Sequence, residues 1–69
     1  MGSVTYSVPG VSCEHCRAAI THEVTAVAGV DRVDVDLDAK TVTVSGSGLD
    51  EDAIVAAIDD AGYDVAATG

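Results

Sequence analysis

A chain of 69 residues accommodates one domain and not two, since separate domains begin at roughly 50 residues. Twelve acidic residues against three basic ones give a formal net charge of −9. That excludes recognition of nucleic acid or anionic lipid by charge attraction, which needs a cationic surface. Intrinsic disorder is excluded too, because 48% of the residues are apolar and disordered chains combine high charge with low hydrophobicity.

Val4, Tyr6 and Val8 alternate with Thr5 and Ser7, which predicts a strand that stops at Pro9-Gly10. Cys16, Ala19, Ile20, Val24 and Val27 then fall at helical spacing, with Gly29 placed to end the helix. Val33, Val35 and Leu37 alternate with Asp34, Asp36 and Asp38, and Asp38-Ala39-Lys40 is a turn. Val42 and Val44 resume the alternation, so the two segments form a hairpin with one buried and one wet face. Gly46-Ser47-Gly48 breaks that strand.

A second helix opens at Leu49-Asp50. Asp50 is its expected N-cap, Glu51 and Asp52 sit at the positive end of the helix dipole, and Leu49 can staple onto Ile54. Ile54, Ala57, Ile58 and Ala61 form its apolar stripe, Gly62 ends it, and Tyr63 and Val65 begin a last short strand. The order β-α-β-β-α-β predicts an α+β, ferredoxin-like sandwich with a four-stranded antiparallel sheet and both helices on one face. Residues 1–69 are expected to form a single domain.

Chemistry concentrates in Gly10-Val11-Ser12-Cys13-Glu14-His15-Cys16, between the first strand and the first helix. Thiols at a helix N-terminus meet free N–H groups and the positive end of the dipole, which stabilise thiolate. Arg17 adds a cation beside them, which Glu14 partly opposes. Two thiolates separated by two residues can close on one metal ion, and soft sulfur donors select Cu(I), with Zn(II) and other thiophilic ions as competitors. A two-sulfur site on an exposed loop stays open to further ligands, which suits transfer more than storage.

With these residues in place the chain resembles the heavy-metal-associated domain family, and within it the small bacterial copper chaperones. The resemblance spans nearly the whole chain. It rests on Cys13-x-x-Cys16 after the first strand, His15 in the third place of that motif, Gly29-Val30 after the first helix, and Ala61-Gly62-Tyr63 before the last strand. It implies Cu(I) bound by Cys13 and Cys16 and handed, through shared thiolate ligation, to the metal-binding domain of a copper-transporting P-type ATPase. It also implies that Tyr63 packs near the metal loop. The protein would be no enzyme, a monomer when free of metal, and able to form a metal-bridged dimer. One departure is Val11, where the family commonly carries a buried Met that anchors the loop; Val11 fills part of that role. Zinc-type relatives often place an acid just before the first Cys, where this chain has Ser12.

Other readings of the same residues stay open. The chain could be the metal-binding domain of a larger ATPase, or a carrier of mercury or zinc. Cys13 and Cys16 could also be a thiol-disulfide redox pair, although thioredoxin-like proteins need a longer βαβ scaffold. A structural zinc site would have to recruit His15, which lies between the two Cys, and His22, most of two turns into the helix. Each His also reads as a plain solvated side chain. Tyr6 reads as packing. The row Asp34, Asp36, Asp38 lacks the Gly turn of a calcium loop and reads as the wet side of the hairpin. No apolar run approaches the ~18 residues of a membrane span. Met1-Gly2-Ser3-Val4 lacks a secretory signal's basic and apolar segments, so the expected location is the cytoplasm.

Overall fold

The computed structural model describes residues 2–68. Its elements are β1 (Gly2–Ser7), α1 (Glu14–Thr25), β2 (Val30–Asp36), β3 (Thr41–Gly46), α2 (Glu51–Asp60) and β4 (Ala67–Thr68). The three long strands form an antiparallel sheet with β3 in the middle. Register explains its two faces. Val44 stands opposite both Val4 and Val33, and Val42 opposite both Tyr6 and Val35. Directly opposed residues share a face, so these rows make one apolar surface. On the other face the Thr5 and Thr43 hydroxyls hydrogen-bond at 3.1 Å.

Ile20 and Val24 of α1 and Ile54, Ala57 and Ile58 of α2 close over the apolar surface, joining Tyr6, Val8, Val11, Val42 and Val44 in one core. Burying each Val or Ile contributes roughly 1.5–3 kcal/mol, and among the described residues no charged side chain is buried in the core. Asp50 caps α2 as the sequence predicts: its side chain accepts from the backbone N–H groups of Asp52 and Ala53, at 3.1 and 3.4 Å.

Three boundaries differ from the sequence reading. Helix α1 ends at Thr25, four residues before Gly29. The chain beyond it turns through tight steps, Val27 N–H to Val24 O at 3.0 Å and Val30 N–H to Val27 O at 3.2 Å, so Val27 keeps its apolar spacing without being helical. Gly29, at φ +88°, makes the entry into β2, which therefore starts at Val30 and not near Val33. The last strand differs as well. Tyr63 and Val65 lie outside any strand, and pairing is confined to Tyr6↔Thr68 and Ser7↔Ala67 on the edge of β1. The row of aspartates is not one uniform face either. Asp34 and Asp36 project from β2, but Asp36 Oδ1 accepts from the N–H groups of Asp38 and Ala39, at 2.9 and 3.0 Å, and so holds the hairpin turn.

Two backbone bonds fix the loop that follows β1. Val8 N–H donates to Lys40 O at 2.8 Å, tying the end of β1 to the β2–β3 hairpin, and Val11 N–H donates to Val8 O at 3.1 Å. The second closes the turn Val8-Pro9-Gly10-Val11, in which Pro9 occupies the position whose φ its ring presets.

Candidate metal centre

Val11, fully buried, anchors the loop from below. From there the chain rises to Cys13, the N-cap of α1, with an extended backbone (φ −150°, ψ 169°) and no capping bond from its side chain. An N-cap Asp or Ser would spend its side chain on the helix; Cys13 Sγ remains free for other partners. Cys16 is the third residue of α1, so its backbone N–H is among the unpaired donors of the first turn.

The two Sγ atoms lie 3.1 Å apart, and both cysteines are free thiols. That is a contact distance, well beyond the ~2.05 Å of a disulfide. Cys13 is exposed, while Cys16 is half-buried and packs against the core.

The Cys16 thiol is acidic. Its pKa falls from 9.0 to about 7, chiefly because the neighbouring Tyr63 hydroxyl favours the thiolate, followed by the backbone at Ser12 and by the Cys13 thiol; partial burial works the other way. The same interaction pushes the Tyr63 phenol up, so the hydroxyl keeps its proton.

The placement of Tyr63 follows from how α2 ends. Gly62 takes φ +95°. Its N–H bonds to Asp59 O at 2.9 Å, and the Tyr63 N–H reaches back to Ile58 O at 3.2 Å. This pair of bonds is a Schellman motif, and it delivers the residue after the glycine to a fixed position beside the loop. The ring comes close to Gly10, where an added Cβ would sit 3.4 Å from Tyr63 Cδ1. The sequence places the ring near this loop but does not reveal the effect of its hydroxyl on the Cys16 thiol. The Gly62-Tyr63 pair after an apolar stripe was the signal for that placement.

His15 is exposed in the first turn of α1 and His22 exposed in its last turn. Among the described residues no three His, Cys, Asp or Glu side chains come together around a point. The arrangement that a closed structural zinc site requires is therefore not assembled by these residues. The Arg17 guanidinium is engaged by the Glu14 carboxylate one turn away, which partly offsets the charge it brings to the thiols. What the loop presents is a pair of adjacent sulfur donors, one exposed and one held, suited to a soft ion of low coordination number.

The model of the heavy-metal-associated domain matches residues 5–64. This chain belongs to the heavy-metal-associated domain family. It is 41% identical over 68 residues to the copper chaperone CopZ of Bacillus subtilis, covering 96% of this chain and 99% of that protein. It is 35% identical over 63 residues to the periplasmic component of mercuric transport from Salmonella typhi, covering 88% of this chain and 69% of the relative. Among solved structures, a CopZ metallochaperone superposes with a TM-score of 0.87 at 33% identity, over 93% of this chain and 98% of its own. A copper binding domain from a P-type ATPase superposes with a TM-score of 0.86 at 25% identity, over 99% and 97%. In heavy-metal-associated terms, the Cys13–Cys16 loop of this chain stands between the first strand and the first helix, with the Tyr63 ring close to its Gly10.

Proposed function

We propose that this chain, a single domain over residues 1–69, is a cytoplasmic copper(I) metallochaperone. Cys13 and Cys16 together hold one Cu(I) and pass it to the metal-binding domain of a copper-transporting P-type ATPase. The observation that carries this reading is the pair of unlinked thiols 3.1 Å apart on an exposed loop, in a chain 41% identical to a copper chaperone. Two thiolates, with no third protein donor beside them among the described residues, suit Cu(I), a soft ion content with few ligands.

The asymmetry of the pair gives the order of transfer. An acceptor thiolate reaches the exposed Cys13 side first and displaces that sulfur. The half-buried Cys16, whose thiolate Tyr63 favours, releases last. The protein is then a carrier without enzymatic turnover. The metal-free chain is a monomer, and a second chain's thiols can complete a metal-bridged dimer.

Titration with Cu(I) against a competing chelator, under anaerobic conditions, tests the site. The expected result is one tightly held Cu(I) per chain, lost in Cys13→Ser and in Cys16→Ser while the circular dichroism of the fold is kept. Wild-type affinity in the double variant overturns the assignment. The mercuric relative motivates a second reading, Hg(II) carriage by the same sulfur pair. Metal analysis of protein isolated anaerobically from its native cells separates the two, copper supporting the first and mercury the second. A thiol-disulfide enzyme would reduce insulin at a catalytic rate; the carrier leaves it unreduced.

A further inference from the structure

Nothing at the thiol loop accounts for the distribution of charge over the rest of the molecule. All the acids but Glu23 are exposed, on a body whose radius of gyration is 10.4 Å. Of the three cations, Arg17 is engaged by Glu14, and Arg32 by Asp34 at 3.1 Å. Two of the acids also stand where they oppose the fold, although Glu14, Asp50, Glu51 and Asp52 sit favourably at helix N-termini. Asp59 and Asp60 close α2, no basic residue lies in its last turn, and carboxylates at that end meet the negative pole of the helix dipole. Asp64 follows within four residues. These carboxylates do not build a cation site, since among the described residues no three metal-ligating side chains converge.

The core that must offset this repulsion is small. It consists of Val, Ile and Ala with one Tyr, and a chain of this size buries only about 60% of its unfolded surface. Net charge this far from zero works against the compact state, because folding draws the charges together. The remedy is ionic strength. Going from about 0.1 M to about 1 M salt shortens the screening length from ~10 Å to ~3 Å, that is, from about the radius of gyration, 10.4 Å, to less than the gap between neighbouring side chains. Concentrated salt that is excluded from the surface also strengthens the burial of small apolar groups.

We propose that this protein is built to fold in a medium of molar ionic strength, and that its native state depends on salt through screening of its exposed carboxylates. The acids then act together as a solvation surface. The dependence belongs to the fold and holds whatever metal the loop carries.

The test is urea unfolding of the reduced, metal-free full chain, followed by far-ultraviolet circular dichroism in about 0.1 M and about 1 M KCl. The expected result is a rise of the folded-to-unfolded ratio by about tenfold at fixed urea. A variant carrying Asp31→Asn, Asp38→Asn, Asp59→Asn and Asp60→Asn separates screening from the general effect of salt on apolar burial. None of these four side chains caps a helix, pairs with an arginine or touches the thiol loop in the described contacts. The variant is expected to be more stable than wild type at the lower salt and to lose at least half of the salt-induced gain. An unchanged wild-type midpoint overturns the proposal. So does a variant with the full salt gain of wild type, which would assign the effect to apolar burial alone. Should the variant fail to fold, repeating the wild-type measurement with a neutral osmolyte in place of KCl decides: an equal gain without ions overturns screening, and a smaller one supports it.

Discussion

At the scale of single residues, the two tyrosines show what a sequence does and does not reveal. Both read as packing, and both pack. Their hydroxyls differ, and that difference is legible only in three dimensions. The Tyr63 hydroxyl favours the Cys16 thiolate, and this is the largest reason the thiol's pKa falls to about 7. Removing it in Tyr63→Phe should move the Cys16 titration upward, toward 9.0, by roughly one unit. The sign follows from the charge: a donor favours thiolate, so its loss favours the protonated thiol. Iodoacetamide rates against pH, in a Cys13→Ser background so that one sulfur reports, should show this shift, and superimposable profiles would remove Tyr63 from the electrostatics of the site. Copper uptake by Tyr63→Phe should also fall off at a higher pH than in wild type, since protons compete for the same sulfur. Tyr6, by contrast, is fully buried, and its hydroxyl finds no partner among the described residues. Burial and then the charges of Glu51, Asp50 and Asp52 push its ionisation up, so it stays a neutral, unpaired group. A buried hydroxyl without a partner carries a desolvation penalty. Tyr6→Phe is therefore expected to stabilise the protein by about 1 kcal/mol in urea unfolding, and a loss of stability would show that a bound water or a closer partner satisfies the hydroxyl.

At the scale of elements, legibility followed the local signal. Asp50 and Gly62 bracket α2 with a cap and a positive-φ stop, and both were readable because each acts through its nearest neighbours. Gly29 was misread because its partner is remote in sequence. It does not end α1. Its carbonyl accepts from Ser47 N–H at 3.0 Å, and its backbone lies directly against Gly46 at the end of β3. A Cβ on Gly46 would fall 1.9 Å from Gly29 O, so two glycines 17 positions apart in the numbering let two strands meet where side chains do not fit. Gly46→Ala must push backbone against backbone and should cost about 3 kcal/mol, measured as a fall in the urea midpoint. A loss under about 0.5 kcal/mol, the range of an ordinary surface change, would mean that the contact relaxes freely. The final strand was misjudged for a related reason. Tyr63 and Val65 alternate for too short a stretch to specify a strand, and the Schellman bonds already commit Tyr63 to the thiol loop. Strand β2, on the sheet's outer edge, carries Asp31, Arg32, Asp34 and Asp36, charges that discourage another chain from pairing there.

At the scale of the whole molecule, the order of elements made the thiol loop legible, because the segment joining the first strand to the first helix has to carry Cys13 and Cys16 to one end of the sheet. What it did not reveal is which loop residues remain available to a partner. Val11, the loop's anchor, is wholly enclosed; Gly10, Ser12, Cys13, Glu14 and His15 are the exposed loop residues, with Tyr63 half-exposed beside them. Charge then sets how an acceptor approaches. A molecule of net charge −9 attracts a basic face and repels an acidic one, and the effect reaches about 10 Å at about 0.1 M salt but only about 3 Å at about 1 M. Asp64, exposed next to Tyr63, is the acid placed to feel this. We expect Asp64→Asn to slow copper transfer to a basic ATPase domain at the lower salt and to leave it unchanged at the higher, where contact residues alone govern the encounter. Stopped-flow transfer at both salts checks this. Acceleration at low salt would mean an acidic acceptor, with local cations such as Arg17 and Lys40 bearing the docking; no effect at either salt would mean that the contact surface around Cys13 and Tyr63 governs encounter at every ionic strength.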